Sequence, residues 1–377
     1  MRILFVLEYY HPHVGGVEVL FRTLCEALVS RGHEVHVVTS RLVDTDQEET
    51  VNGVHLHRIN VPRFASRYFF TFFSMPYILK IAKDFDIIHT TTYNAAPPAW
   101  LASLIRRKPS VITVHEVIGK DWGRLMGLSK ISALFHRLME RIIISLPFDS
   151  IVAVSHSTRK NLKAAGVRKK INVVHNSVSH DVFNRRAYPG ARKRIRKKLG
   201  VKDNEFLYAF YGRPGVSKGV EFLIKAMPRI RSLIPRSRAL YIMASEPKER
   251  YKWMKKLLEE NADGEAILHK SLPYNRLPEY LMAADCIVIP SITEGFGFCV
   301  AESCSLGKPV VATNTTSIPE VASGKFLLVP PKNPNAIAEA LKLVKEKKYM
   351  KTPLKKFSEK SFVDGYEKVY SRMMSSH

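Results

Sequence analysis

The sequence predicts an α/β protein made of two doubly wound domains. Three observations carry this reading: a length of 377 residues, an alternation of apolar strands with amphipathic helices from the first residue, and a restart of that alternation after a basic stretch near residue 190. A chain of this length exceeds what one hydrophobic core usually serves, so two domains of about 150 to 200 residues are expected.

The elements follow in order. "RILFVLE", "GVEVLFRTLCEALVSRG" and "HEVHVVTSR" read as strand, helix and strand, the spacing of a βαβ unit. Gly32 closes the helix, and Gly15-Gly16 sit where the first strand hands over to it. Strands "VHLHRI", "DIIHTTT", "SVITVH", "SIVAVS" and "INVVH" complete an N-terminal domain, 1–185. Then "RRAYPGARKRIRKKLG" carries eight basic residues and no acid. The strands "EFLYAFYGR", "RALYIMA", "AILHKS", "CIVIPS", "KPVVAT" and "KFLLVP" make a second domain, 186–355, and a terminal helical segment, 356–377, ends the chain.

Composition narrows the class. Hydrophobic residues at 46% and charged residues at 25% describe a globular enzyme rather than a disordered chain. The first apolar run ends at Glu8, too short for a signal-peptide core, and no run approaches the roughly 18 residues that cross a bilayer. Cys25, Cys286, Cys299 and Cys304 fit neither a zinc spacing nor a disulfide framework; read as buried and reduced, they place the chain in the cytoplasm. Lys and Arg number 59 against 34 Asp and Glu, an excess of 25 that favours an anionic partner: nucleic acid, an acidic membrane or a phosphorylated substrate.

Ligands of doubly wound domains bind beyond the carboxyl ends of the strands, which directs attention to the loops there. In "PSITEGFGFCVAESC" the strand ends at Pro290, Gly295 and Gly297 loosen the loop, and a short helix runs from about Phe298 to Gly307. Amides at that helix start make an anion site, with Glu294 before it and Glu302 inside it. Glu302 lies about 200° round the helix from Val300, so it is expected to point away from the core; the plain alternative is a solvated helical residue. A second loop, "GRPGVSKG", presents Arg213 and Lys218, two cations suited to a diphosphate leaving group.

With these residues in place the chain resembles the retaining nucleotide-sugar glycosyltransferases of GT-B architecture, in glycosyltransferase family 4, group 1. The resemblance runs through "HPHVGGVE", "TVHE", "IVAVSHST", "VVHNSVSHDVF", "GRPGVSKG", "EGFGFCVAE" and "GKPVVATNTTSIPEV", nearly the whole chain. It implies two Rossmann-like domains facing a cleft, an N-terminal one for the acceptor and a C-terminal one for the nucleotide sugar, with the last helix returning to the first domain. It implies that Gly15 and Gly16 approach the donor phosphate and acceptor and that His115 lies beside the donor sugar. Arg213 and Lys218 would hold the diphosphate, Glu294 the transferred sugar, Glu302 the ribose, and the amides of Phe296, Gly297 and Phe298 the phosphates. Neither metal nor cofactor is implied. Asn176-Ser177, Ala244-Ser245-Glu246 and Thr315-Thr316 depart from the family pattern in loops beside the ligands, which leaves the sugar open.

Several signals take the plainer reading. "DTD" at 44–46 and "DFD" at 84–86 spell a metal-binding pattern of another transferase architecture, but chance matches are common and no manganese or magnesium site is expected. His89 has a cleft or a structural role, and His11 and His13 lie near the first glycines. The segment 63–83, with seven aromatics and no acid, either covers the core, with Pro76 starting a helix, or dips into an anionic bilayer beside a lipid-linked acceptor. The activity expected is retaining, metal-independent transfer of a hexose or N-acetylhexosamine from a UDP or GDP sugar to a hydroxyl of a lipid-linked or polysaccharide glycan. An epimerase or hydrolase on the same architecture is the rival. A nucleic-acid binder using 185–200 is the poorer one, since that run lacks interleaved aromatics, and no G-x-G-x-x-G follows the first strand to support an NAD enzyme.

Overall fold

The structure, a computed structural model, describes every residue except Val14, Arg63, Ala65, Ser376 and His377, together with the side chain of Ser66. Parts of the "HPHVGGVE" and 63–83 readings therefore lie outside the described residues. The chain divides into two compact units: Met1–Gly123, Leu128–Ser177 and Glu359–His377 form unit 1, and Arg124–Gly127 with Val178–Ser358 form unit 2.

Unit 1 holds strands β1 (Arg2–Val6), β2 (Glu34–Ser40), β3 (Glu48–Val51), β4 (Val54–Ile59), β5 (Ile87–Thr91), β6 (Ser110–Val114), β7 (Ser150–Ala153) and β8 (Ile171–Val173). Their order is β3-β4-β2-β1-β5-β6-β7-β8, parallel throughout except for the antiparallel β3–β4 hairpin. That hairpin turns at Asn52-Gly53, both at positive φ (50° and 80°), an Asn-Gly signal that reveals β3 in the sequence once β4 is known. Every residue of β5 and β6 is buried, as expected of central parallel strands covered on both faces.

The terminal helix Glu359–Met374 packs within unit 1. The Tyr370 hydroxyl lies 2.6 Å from His89 Nδ1, and the Tyr366 hydroxyl lies 3.0 Å from Thr113 Oγ1. With Thr113 on its other ring nitrogen, His89 is a fully buried structural residue rather than a cleft ligand. Asp86 accepts from Arg2 N at 2.7 Å, which accounts for one "DFD" carboxylate.

The helix Ser66–Ile81 runs straight through Pro76 rather than starting there. Phe70, Ser74 and Ile78 recur every fourth residue and are fully buried, Phe70 and Ile78 in the core with Leu4, Val38 and Ile88. This packing outweighs the one helical hydrogen bond that proline removes.

Unit 2 holds β9 (Phe206–Gly212), β10 (Ser237–Met243), β11 (Ala266–Lys270), β12 (Cys286–Ile289), β13 (Val310–Thr313), β14 (Lys325–Val329) and β15 (Met350–Lys351), in the order β11-β10-β9-β12-β13-β14-β15. Only β15 is antiparallel to its neighbour. The helices Val220–Leu233 and Pro334–Lys345 bury Leu223, Met227, Ile337 and Leu341 in one core with β9, β10 and β12.

Part of the basic run is structural. Arg196, 1% exposed, donates to Ala283 O, Lys202 O, Glu205 O and Asp285; Arg192 pairs with Asp285 and Arg194 with Glu279. Cys25, Cys286 and Cys304 are buried while Cys299 is partly exposed, and all four are free thiols. Among the described residues no helix is long and apolar enough to cross a membrane.

Candidate active site

In unit 2 the strand order reverses between β9 and β12, and the loops leaving these two strands meet. A reversal of this kind makes successive loops diverge and opens a crevice at the carboxyl ends of the strands. Ile292 N donates to Ser217 O at 2.7 Å, tying one loop to the other. Gly219 (φ +59°) makes the approach feasible: a β-carbon there would lie 2.2 Å from Pro290 O.

Lys218 Nζ donates to Glu294 Oε1 at 2.7 Å, and Ser291 Oγ donates to the same oxygen at 2.7 Å. From the loop after β13, Thr316 Oγ1 accepts from Glu294 N and Ser317 Oγ donates to Glu294 O, both at 2.9 Å. Glu294 is thus held by three loops at once, two at its carboxylate and one at its backbone. Arg213 follows β9 directly and is exposed. Its loop is braced by Arg250, which donates Nε to Pro214 O at 3.1 Å, pairs with Glu221 at 2.9 Å and stacks on Trp253.

The helix Phe298–Ser305 begins at Gly297, whose φ of 94° suits glycine, and no side chain caps it. Its ladder starts with Val300 N to Gly297 O at 3.0 Å, so the amides of Phe298 and Cys299 precede it and carry the positive end of the helix dipole. The Phe296 side chain is buried edge-on against Phe298 and Phe357, leaving only its backbone for a ligand.

Glu302 departs from the expectation of an outward or solvated side chain. It is 5% exposed, with Oε2 accepting from the Tyr211 hydroxyl at 2.9 Å and Oε1 from Tyr274 at 3.0 Å. The end of β9 and the loop after β11 supply these tyrosines and cover the helix face that periodicity alone leaves open. Burial pushes the Glu302 carboxyl above the usual range, and the two hydroxyls oppose that shift. A carboxylate has about four lone-pair sites, so each oxygen retains capacity for a second donor such as a ribose hydroxyl.

In unit 1 the order reverses between β1 and β5. Glu8 follows β1 and Asn94 follows β5, and Asn94 Nδ2 donates to Glu8 Oε2 at 3.0 Å. Burial raises the Glu8 carboxyl, against the Asn94 bond and the nearby Arg67. Gly15 N-caps the helix Gly16–Ser30 without a side-chain bond, while His13 pairs with Glu18 at 3.1 Å and stacks on Tyr9. His11 Nδ1 lies 3.1 Å from an Arg22 guanidinium nitrogen. His115, one residue past β6, is desolvated, which lowers its imidazole to about 4, and Nε2 has no hydrogen-bond partner among the described residues. It is neutral at physiological pH and is suited to a neutral hydrogen bond.

Residues 14–182 match the family Glycosyltransferase Family 4, and residues 191–361 match Glycosyl transferases group 1. The chain belongs to glycosyltransferase family 4, group 1. This glycosyltransferase is 28% identical over 353 residues to an uncharacterised glycosyltransferase of Methanocaldococcus jannaschii, covering 90% of this chain and 87% of that one. It is 25% identical over 335 residues to the phosphatidylinositol N-acetylglucosaminyltransferase gpi3 subunit of Schizosaccharomyces pombe, covering 84% of this chain and 66% of the relative. Its fold is GT-B: sucrose-phosphate synthase of Thermosynechococcus elongatus matches over 100% of both chains with a TM-score of 0.79 at 19% identity. HepE of Anabaena, solved with UDP-glucose, matches over 100% of both chains with a TM-score of 0.73 at 17% identity.

Of the residues singled out in the sequence, Lys218, Glu294, Gly297, Phe298 and Glu302 gather in unit 2 with Arg213 on the same loop as Lys218, while Gly15, Gly16 and His115 lie in unit 1. Tyr211, Tyr274, Ser291, Ser317 and Arg250 of the transferase were missed, as were Glu8 and Asn94, while Thr316 was marked only as a departure from the family pattern. Glu8 alone carried a signal, an acid that ends the first apolar run.

Proposed function

We propose that this glycosyltransferase moves a hexose or N-acetylhexosamine from a nucleoside-diphosphate sugar to a hydroxyl acceptor with retention at the anomeric carbon. The observation that carries the reading is the Lys218–Glu294 pair at the β9/β12 reversal, beside the uncapped start of the helix Phe298–Ser305. Arg213, Lys218 and the first helical amides meet the diphosphate, where negative charge grows as the bond from the sugar to the β-phosphate oxygen breaks. Glu294 holds sugar hydroxyls and Glu302 holds the ribose. The acceptor oxygen attacks C1 on the face the diphosphate leaves, and its proton passes to the departing phosphate oxygen. No divalent cation enters this scheme.

Unit 1 supplies the acceptor half of the reaction through Gly15, Gly16, Glu8 and Asn94, with His115 as a neutral donor to the sugar. The acceptor we favour is a lipid-linked glycan or glycolipid headgroup, reached from the cytoplasmic face of a membrane; the fission-yeast relative is named for N-acetylglucosamine transfer to phosphatidylinositol. A screen of UDP-, GDP- and ADP-sugars with EDTA present, followed by NMR of the product anomer, tests the reading. Transfer with retention is expected; donor turnover without transfer would instead identify an epimerase or hydrolase.

A further inference from the structure

The helix Lys130–Ser145 of unit 1 is amphipathic in an unusual sense: its apolar stripe faces solvent. Ile143, Ile144 and Glu140 form its buried side. On the other side Ile131 is 84% exposed, Leu134 66%, Phe135 50%, Leu138 55% and Ile142 46%. At about 100° per residue these five share an arc of about 100°, and the exposed cations Lys130, Arg137 and Arg141 line one flank of it. Its one acid, Glu140, is turned inward and accepts from Ile118 N at 2.8 Å, Gly119 N at 2.6 Å and Trp122 Nε1 at 3.2 Å.

The helix Ser66–Ile81 extends the same surface. Tyr68 OH lies 2.9 Å from His136 Nε2, joining the two helices. Phe72 is 72% exposed, Phe73 50% and the preceding Phe64 86%, and residues 64–83 contain no acid. Contiguous exposed apolar surface on this scale marks an interaction site.

We infer that these two helices form a docking surface for an anionic lipid bilayer, with the Lys130–Ser145 stripe inserted at the level of the acyl boundary and Lys130, Arg137, Arg141 and Arg67 among the headgroups. Charge decides for this occupant. A second copy of the chain joined through these two helices would bring their cations together with no exposed acid on either helix to meet them, whereas an acidic membrane supplies the complementary charge. An interfacial helix has this design: apolar on one side, basic along its edge.

The surface adjoins the carboxyl ends of the strands in unit 1. Thr71 Oγ1 donates to Asn94 O at 2.7 Å, Arg67 Nε is 3.2 Å from Glu8 Oε1, and Glu140 holds the loop after β6. A headgroup lifted from the bilayer therefore enters beside Glu8 and Asn94; that role in delivery rests on the sugar-transfer reading above.

Flotation with phosphatidylcholine vesicles, with and without phosphatidylglycerol, tests the surface. The wild type is expected to float only with phosphatidylglycerol present and less as salt rises. Leu134→Ser with Leu138→Ser, and separately Arg137→Ser with Arg141→Ser, should each cut the bound fraction about tenfold, with circular dichroism and nucleotide-induced thermal shift unchanged. No flotation of the wild type, equal binding to neutral vesicles, or unaltered binding by both variants overturns the proposal. So does a wild-type dimer that Leu134→Ser with Leu138→Ser dissociates. Flotation that survives while no nucleotide shifts the melting temperature would instead count against the sugar-transfer reading.

Discussion

Lys218 and Glu294, 76 residues apart in the chain, form a 2.7 Å ion pair that ties the loop after β9 to the loop after β12. Both charges are held in place before any ligand arrives. A diphosphate competes for the lysine, and Glu294, still fixed by Ser291, Thr316 and Ser317, is then available to sugar hydroxyls.

Glu294→Ala should lower turnover on the order of a hundredfold while nucleotide-induced stabilisation persists, because the side chain serves the sugar rather than the nucleotide. Steady-state kinetics with the identified donor checks this. Unchanged kcat would remove Glu294 from the site.

Glu302→Ala leaves the Tyr274 hydroxyl and one contact of the buried Tyr211 hydroxyl without their carboxylate, at an expected cost of about 1–3 kcal/mol; Tyr274→Phe, which removes one bond, should cost about 1 kcal/mol. Urea unfolding measures both. Equal stability of all three proteins would mean that the tyrosine contacts do not persist in solution.

Acid should weaken the fold before most carboxylates titrate. Burial lowers His89 to about 3 and His115 to about 4, so the unfolded chain binds more protons than the folded one as pH falls from about 6.5 towards those values. For His89 the loss is about 1.4 kcal/mol by about pH 5.5, with His115 adding in the same direction. Glu8 and Glu302, both raised by burial, act oppositely and offset part of it. Melting temperatures across this range should fall with pH; a rise would contradict the neutral, buried His89.

Arg196→Ala removes the centre of a buried network and should destabilise the protein by about 1–3 kcal/mol, mainly by taking the guanidinium from the carbonyls of Lys202 and Glu205, since Asp285 keeps Arg192 and Leu207 N and Ala283 O keeps Arg192. Thermal denaturation reads this out. A stable variant that instead loses affinity for nucleic acid would revive the role in nucleic-acid binding for the basic run.

Much of this architecture was legible because its signals are local. Strands β1, β9 and β12 are apolar runs ending in glycine- or proline-bearing loops, and the eight-residue spacing of Glu294 and Glu302 maps onto one loop and one helical turn. What was not legible depends on partners distant in sequence. Tyr274 reaches Glu302 across 28 residues and no pattern marks it, so a buried carboxylate reads as a surface one. Arg196 looks like its exposed neighbours until Asp285 and the carbonyls around it are placed. The outward stripe of Lys130–Ser145 has the same period as a core-facing stripe; only packing shows which side is covered. Pro76 suggested a helix start because its missing N–H is a local fact, whereas the burial of Phe70 and Ile78 is a tertiary one.

Calorimetric titration of UDP, GDP and ADP into the wild type and Lys218→Ala tests the central claim most directly. One nucleotide should bind the wild type, and the variant, folded by circular dichroism, should bind it at least about tenfold more weakly, about 1.4 kcal/mol. Equal affinity in both proteins would contradict a diphosphate site at the β9/β12 reversal.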